Sequence, residues 1–121
     1  MSVDWIRSTC MAMPHATEEV QWGNHLLFKV GGKMFAITGL EHSAGVTFKC
    51  TDEEFAELTE RPGIIPAPYM ARNKWVAVER LDALPRAELK RLLGTSYELV
   101  KAKLTKKAQA ELGKPAKRPK K

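Results

Sequence analysis

The stretch HLLFKVGGKMFAIT, residues 25–38, contains two runs of β-forming residues separated by two glycines. Glycine readily adopts the positive φ angles of a two-residue hairpin turn, so Gly31 and Gly32 are predicted to join two antiparallel strands. The register of such a loop pairs Val30 with Lys33, Phe28 with Phe35, and Leu26 with Ile37 on one face of the hairpin. The opposite face then receives Leu27, Lys29, Met34 and Ala36.

The segments that flank this hairpin predict one helix and two further strands. Residues 2–13 carry apolar side chains at helical spacing and predict a short amphipathic helix that begins at a Ser2 cap. Residues 18–23, EEVQWG, alternate polar and apolar side chains and predict a first strand. Residues 46–50, VTFKC, predict a strand that follows the hairpin.

A helix and a pair of strands are predicted next. Thr51 and Glu54 have the spacing of a capping box, and the helix they start ends at Pro62. Residues 64–70, IIPAPYM, contain two prolines and are therefore limited to an edge strand or an extended segment. Residues 74–78, KWVAV, predict a strand with Trp75 and Ala77 on its outer side.

The remainder predicts two helices. Residues 84–93 have helical spacing and are followed by Gly94, a common helix terminator, and Thr95 then caps a second helix. The resulting order is α, β-meander, α, β-pair, α, α. It indicates an α+β fold, in which a two-layer arrangement places helices on one face of an antiparallel sheet.

The formal net charge of +6 is unevenly distributed. Residues 1–100 hold 11 Lys and Arg against 13 Asp and Glu, whereas residues 101–121 hold 9 against 1. We therefore expect a folded domain over residues 2–107 and a basic, disordered tail over 108–121. The tail is interpreted either as a solubilising end or as a sequence-independent anchor for phosphates.

No pattern for catalysis or for a strong metal site is present in the sequence. The GGK triplet lacks the rest of a phosphate-binding loop, and no GxSxG or paired histidine motif occurs. Cys10 and Cys50 are expected to be reduced thiols without a disulfide. No enzyme activity and no cofactor are predicted. No apolar run could span a membrane and the N-terminus does not resemble a signal peptide, so we expect a cytoplasmic protein.

The open face of the predicted sheet is the best candidate for a binding surface. Lys29, Lys49 and Trp75 are expected to project from it in the same direction, and Tyr69, Arg72 and Lys74 are expected to rim it. Lysines neutralise phosphates and aromatic rings stack on bases, so this set is typical of sheets that bind nucleic acid. Two alternatives remain open, because Trp75 could pack under the final helix or the face could form a dimer interface.

Several ordered motifs resemble the MmcQ/YjbR family of small bacterial proteins. The motifs are EE at 18–19, W-G at 22–23, V-G-G-K-M-F-A from Val30, F-K at 48–49, P-G-I-I-P-A-P-Y from Pro62, W-V-A-V from Trp75 and S-Y-E-L-V from Ser96. The resemblance implies a compact fold of the kind compared with frataxin-like and secretion-chaperone-like domains. It also implies DNA binding, since the family is described in that way, and it supplies no catalytic residues.

Three functional hypotheses follow. The first is a non-enzymatic protein that binds DNA or RNA through Lys29, Lys49, Tyr69, Arg72, Lys74 and Trp75. The second is an adaptor for a protein partner, or a homodimer, that uses the same face. The third is weak, frataxin-like metal binding by the acidic helix that contains Asp52, Glu53, Glu54, Glu57 and Glu60.

Overall fold

The computed structural model describes residues 3–21, 23–39, 45–68 and 70–112. These residues form one six-stranded antiparallel sheet with helices, which confirms the predicted α+β class. The strands are β1 (Thr17–Gln21), β2 (His25–Val30), β3 (Lys33–Gly39), β4 (Val46–Lys49), β5 (Ile64–Pro66) and β6 (Trp75–Val78). Within the same ranges the α-helices are α1 (Val3–Met11), α2 (Asp52–Leu58), α3 (Arg86–Ala102) and α4 (Lys106–Leu112).

The strands lie in the order β1-β2-β3-β4-β6-β5, and every neighbouring pair is antiparallel. Along the chain, the elements follow the predicted order of α, β-meander, α, β-pair, α, α. Strand β5 contains Pro66 and lies at the edge of the sheet, as its missing backbone donor requires.

The hairpin between β2 and β3 turns on Gly31 and Gly32, whose φ angles are 59° and 81°. Both values lie in the left-handed region that favours glycine, and Val30 pairs with Lys33 as predicted. A Cβ atom on Gly31 would lie only 2.6 Å from the Leu104 Cδ1 atom. The turn is thus packed directly against the chain segment that follows α3.

The predicted pairing fails beyond this turn because β3 contains a bulge opposite Phe28 and Lys29. Phe28 pairs with Ala36 instead of Phe35, and Leu27 pairs with Ile37. The extra residue shifts the rest of β3 by one position, so Ala36 joins the core and Ile37 lies on the opposite face. Both of these face assignments from sequence were wrong.

Contacts with α3 explain why the bulge forms at Phe35. The ring of Phe35 is fully buried and meets the ring of Tyr97 edge-on, with 5.4 Å between centroids. Its carbonyl accepts a hydrogen bond from the Ser96 hydroxyl. These tertiary contacts select the position of Phe35, and the local preference of the turn for a regular register is overridden.

One hydrophobic core lies between the sheet and the helices. Helices α1 and α3 pack against the central strands, and α2 packs against β5 and β6. The core includes residues from both layers, among them Ile6, Cys10, Phe28, Phe35, Phe48, Val76, Leu89, Leu92, Leu93 and Tyr97. The helices cover one face of the sheet, as predicted.

Helix α3 continues through Gly94, where the sequence predicts a break. An interior glycine costs only about 1 kcal/mol relative to alanine, and the buried stripe continues on both sides of it through Leu93 and Tyr97. The Thr95 hydroxyl donates to the Arg91 carbonyl one turn back, so it does not act as an N-cap. The residues predicted to form the final helix, from Thr95, form the second half of α3, and α4 is a further helix that the sequence did not predict.

Some sequence predictions fall outside the described residues. The Ser2 cap and Tyr69 are among them, and so are residues 113–121 of the predicted tail. Helix α4 extends to Leu112, which lies within the stretch for which the sequence indicates disorder. Among the described residues, no helix combines the length and the apolar character needed to cross a membrane.

Candidate functional site

Strands β3 and β4 separate at one end of the sheet. Their pairing covers Ala36 with Phe48, Ile37 with Thr47 and Thr38 with Val46, and it stops before Phe35 and Lys49. The Ser96 hydroxyl of α3 stands between these two residues: it accepts a hydrogen bond from the Lys49 backbone N–H at 2.9 Å and donates one to the Phe35 carbonyl at 2.6 Å. A side chain from the helix layer thus replaces a direct bond between the strands.

A cleft of about 340 Å³ lies where the two strands separate. We call it the basic cleft, and its described lining residues are Lys33, Met34, Lys49, Asn73, Trp75, Val100 and Lys103. These lining residues include three lysines and no carboxylate. The cleft therefore combines a positive potential with an apolar wall, which suits an anionic organic ligand.

Lys49 is held inside the basic cleft by the backbone. Its Nζ atom donates a hydrogen bond to the Asn73 carbonyl at 2.5 Å. Partial burial lowers the pKa of Lys49, and repulsion from the ammonium group of Lys103 lowers that pKa further. Two cations therefore already repel each other in the cleft, and an anion placed between them would relieve that repulsion.

Trp75 forms part of the wall of the basic cleft and is only 8% exposed. Its backbone is fixed on both sides, because its N–H donates to the Met70 carbonyl and its carbonyl accepts from the Ala67 N–H. The proline-containing segment after β5 thus serves to hold this tryptophan against the sheet. With so little surface exposed, the indole offers a ligand an edge and not a full stacking face.

Lys29, Arg72 and Lys74 are not among the described residues that line the basic cleft. Lys29 forms an ion pair with Glu19 at 2.7 Å, and the ammonium group of Lys74 lies 5.0 Å from the centre of the Phe55 ring. Arg72 is exposed on the short 3₁₀ turn before β6, and Tyr69 lies outside the described residues. Lys49 and Trp75 are the two predicted residues that line the cleft.

Sequence reasoning missed the two lysines that complete the cleft. Lys33 was assigned to the core face of the hairpin, and Lys103 was counted only as part of a basic C-terminal region. The contact between Gly31 and Leu104 brings the hairpin turn and the end of α3 together, and with them these two lysines. The position of Lys33 directly after the two glycines was the available sequence signal for this part of the cleft. Its partner Lys103 lies seventy residues further along the chain.

Two acidic residues of α2, Glu54 and Glu57, contact neighbouring basic residues or the start of the helix. Arg61 pairs with Glu57 and Glu88, and Arg91 pairs with Glu54. Glu54 also accepts the Thr51 N–H in the predicted capping box. No group of three or more potential metal ligands occurs among the described residues. The described part of α2 thus adds no support to the metal hypothesis.

Neither cysteine is suited to act as a nucleophile. Cys10 and Cys50 are both buried and form no disulfide. Burial raises the pKa of Cys10 to about 12 and that of Cys50 to about 11. Both thiols therefore stay protonated at neutral pH, and the thiolate is the reactive form.

A family model described as YjbR matches residues 11–99 of the chain, which is more than half of its length. The chain belongs to the YjbR family. The resemblance inferred from the sequence motifs is thereby confirmed. Val100 and Lys103 of the basic cleft lie just beyond the matched residues, so this YjbR protein completes its cleft with a segment outside the family match.

Two solved structures show the same fold as this YjbR protein. Deinococcus radiodurans protein DR2400, which contains a DUF419 domain, is 33% identical, with a TM-score of 0.80 over 94% of this chain and 89% of that one. A Pseudomonas syringae protein is 20% identical, with a TM-score of 0.68 over 82% of this chain and 98% of that one, and shows the fold alone. No curated protein gives a significant match.

Proposed function

We propose that this YjbR protein is a non-enzymatic, cytoplasmic binding protein for nucleic acid, and that its basic cleft holds a phosphate of a single strand. The observation that carries the proposal is the convergence of Lys33, Lys49 and Lys103 on a cleft with no carboxylate among its described lining residues. Lysine is a common ligand for nucleic-acid phosphates, and such contacts dominate affinity.

Further lysines continue the positive surface next to the cleft. Lys101 is close to the last turn of α3, and Lys106 and Lys107 begin α4. Residues 101–107 hold four lysines and no acidic residue, so positive charge is concentrated where α3 ends and α4 begins. A single strand can place one phosphate in a narrow cleft, whereas the rigid width of a duplex favours a broad basic face.

The groups around the cleft support binding without catalysis. The Ser96 hydroxyl already donates to a backbone carbonyl, and both thiols are held protonated. Burial lowers the pKa of Lys49, and the hydrogen bond from its ammonium group to the Asn73 carbonyl holds it in place. These features favour a preorganised ligand contact over an activated nucleophile.

The proposal is tested by fluorescence anisotropy with a labelled oligothymidylate over a range of salt concentrations. The variants are Lys49→Met and Lys103→Met, which keep much of the alkyl chain and remove the charge. Each should weaken binding and flatten the plot of log affinity against log salt by about 0.7, the contribution of one neutralised phosphate on a single strand.

The matched control is Lys90→Met, which removes the same charge from an exposed position on α3 outside the cleft. It should leave affinity and salt slope nearly unchanged, because distant surface charges are screened at moderate salt. If all three variants behave alike, the cleft does not bind the strand. Thermal unfolding of each variant checks that the fold is intact.

A second candidate function, self-association through the helix-free face of the sheet, is favoured by a separate observation. Leu27, Ile37, Thr47, Ala77 and Ile65 form a row across five strands on that face. Four of the five are apolar; Ile65 is 37% exposed, Ile37 and Ala77 are half-buried, and Leu27 is buried. A second copy of the chain could cover this row, since apolar surface of this kind is typical of protein interfaces.

A further inference from the structure

The basic cleft is closed at its inner end. Ser96 bridges Phe35 and Lys49 at the point where the two strands separate, and Val100 lines the cleft one turn further along α3. A polynucleotide therefore cannot pass between β3 and β4 into the core. The space admits a compact group that enters from solvent, such as the end of a chain.

The positive charge of the three lysines in the cleft exceeds the single negative charge of an internal phosphate. A phosphodiester carries one negative charge, whereas a terminal phosphate carries nearly two at neutral pH and presents three strong acceptor oxygens. Each of the three lysines can donate to such an oxygen, and Lys49 is already positioned by its bond to Asn73. The number and sign of the charged groups fit a phosphomonoester better than a phosphodiester.

We infer that the basic cleft is a binding site for a phosphomonoester, supplied either by the phosphorylated end of a single strand or by a free nucleotide. For the strand, this inference rests on the proposed function and makes it more specific. Lys33, Lys49 and Lys103 contact the phosphate oxygens. Met34 and the exposed edge of Trp75 then contact the sugar or base that follows.

Weak base preference is a further consequence. The apolar part of the cleft consists of Met34, Val100 and the edge of Trp75, and none of these side chains reads the hydrogen-bonding edge of a base. Recognition is therefore directed at the phosphate. Asn73 is the described lining residue whose side-chain amide can reach a base edge, so base preference should be small beside the preference for the phosphate.

The experiment compares three probes with the full chain. They are a short oligothymidylate with a 5′-phosphate, the same strand with a 5′-hydroxyl, both labelled at the 3′ end, and free thymidine 5′-monophosphate. Anisotropy measures the two strands, and the Trp75 indole N–H signal in an NMR titration measures the mononucleotide. We expect the phosphorylated strand to bind roughly tenfold more tightly, the effect of one added charge-assisted contact.

Two controls separate the cleft from general attraction to anions. Lys49→Met and Lys103→Met should remove the preference for the 5′-phosphate, whereas Lys90→Met should retain it. The preference should also fade as the pH falls from about 7.5 to about 5, because the phosphomonoester takes up a proton near pH 6. No histidine or carboxylate occurs among the described residues that line the cleft, so the change in preference reports on the phosphate itself.

Each outcome decides the inference. If both strands bind equally and the mononucleotide gives no shift, the phosphomonoester site is wrong while nucleic-acid binding stands. If the mononucleotide shifts the Trp75 signal and neither strand binds, the site stands, its source is a free nucleotide, and the proposed function is wrong. If none of the probes binds, both ideas are wrong.

Discussion

Ser96 is a small polar residue in the middle of a buried helix face, and its hydroxyl uses both of its hydrogen-bonding roles. It accepts from the Lys49 N–H and donates to the Phe35 carbonyl, so two backbone groups of separated strands are satisfied inside the core. Buried backbone groups without partners are costly. One side chain therefore makes the separation of β3 and β4 tolerable, and with it the basic cleft.

Replacing Ser96 by alanine should lower the free energy of unfolding by roughly 1–3 kcal/mol, because the Lys49 N–H and the Phe35 carbonyl lose their partner. Urea unfolding measures this loss. Thr95→Ala is the control, since the half-buried Thr95 hydroxyl donates only to the Arg91 carbonyl of its own helix. A loss below about 0.5 kcal/mol for Ser96→Ala would mean that the strands close directly onto each other.

The hairpin between β2 and β3 was predicted from sequence and also contributes Lys33 and Met34 to the basic cleft. Its turn follows from local chemistry, since two glycines with positive φ join two β-rich runs. The contact of this turn with Leu104 does not follow from local chemistry, because tertiary packing places Gly31 against Leu104. The same two-residue turn is thus both a local signal and one side of a long-range contact.

Alanine substitutions at the two glycines should differ in effect. At both positions the positive φ angle costs about 1–2 kcal/mol for a residue with a Cβ atom. At Gly31 the added Cβ also meets Leu104 at 2.6 Å, whereas at Gly32 nothing lies within 4 Å. Gly31→Ala should therefore be the less stable variant in thermal unfolding and should weaken oligonucleotide binding, while Gly32→Ala keeps its affinity.

Equal losses of stability in the two variants, with unchanged binding in both, would contradict this prediction. That result would mean that Leu104 adapts freely to the extra atom. The contact between the turn and the end of α3 would then not help to position Lys103.

The elements were predictable from sequence where short-range signals decide them. The capping box at Thr51, the glycine turn and the edge position of the proline-containing strand are of this kind. The bulge at Phe35 and the continuous α3 were not, because packing against Tyr97 and a buried stripe override local preference. The cleft combines both cases, since Lys49 and Trp75 were predicted and Lys103 depends on tertiary contact.

At the scale of the whole molecule, the two faces of the sheet have different roles. One is covered by helices and contains the core, and the other carries the row that ends at Ile65. The separation of β3 and β4 opens the sheet at one end, and the basic cleft forms there. The basic cleft and the apolar row share the helix-free face, because Lys49 and Trp75 lie two residues from Thr47 and Ala77 in their strands. Substitutions at the far end of the row, at Ile65, test self-association apart from the cleft.

If the helix-free face mediates self-association, Ile65→Lys should shift the protein from dimer to monomer without unfolding it. A lysine at the exposed position 65 would place an uncompensated charge in an apolar interface. Light scattering coupled to size exclusion measures the mass over a range of concentrations. Val20→Lys is the control, because Val20 is also exposed but pairs with the core residue Leu26 and so faces the helix side.

A monomeric mass for the unmodified protein at every concentration would rule out self-association through this face. Nucleic-acid binding in dilute solution should be the same for Ile65→Lys and the unmodified chain. The cleft residues come from other positions in the sheet and from α3.

The packing of Leu104 on the Gly31 turn also sets the time at which the basic cleft can exist during synthesis. A ribosome makes the hairpin, β4 and β6 first, and these strands alone provide Lys33 and Lys49 without the third lysine. Lys103 and Leu104 emerge later, after most of α3. A growing chain that has not yet emerged as far as these two residues therefore lacks the complete cleft.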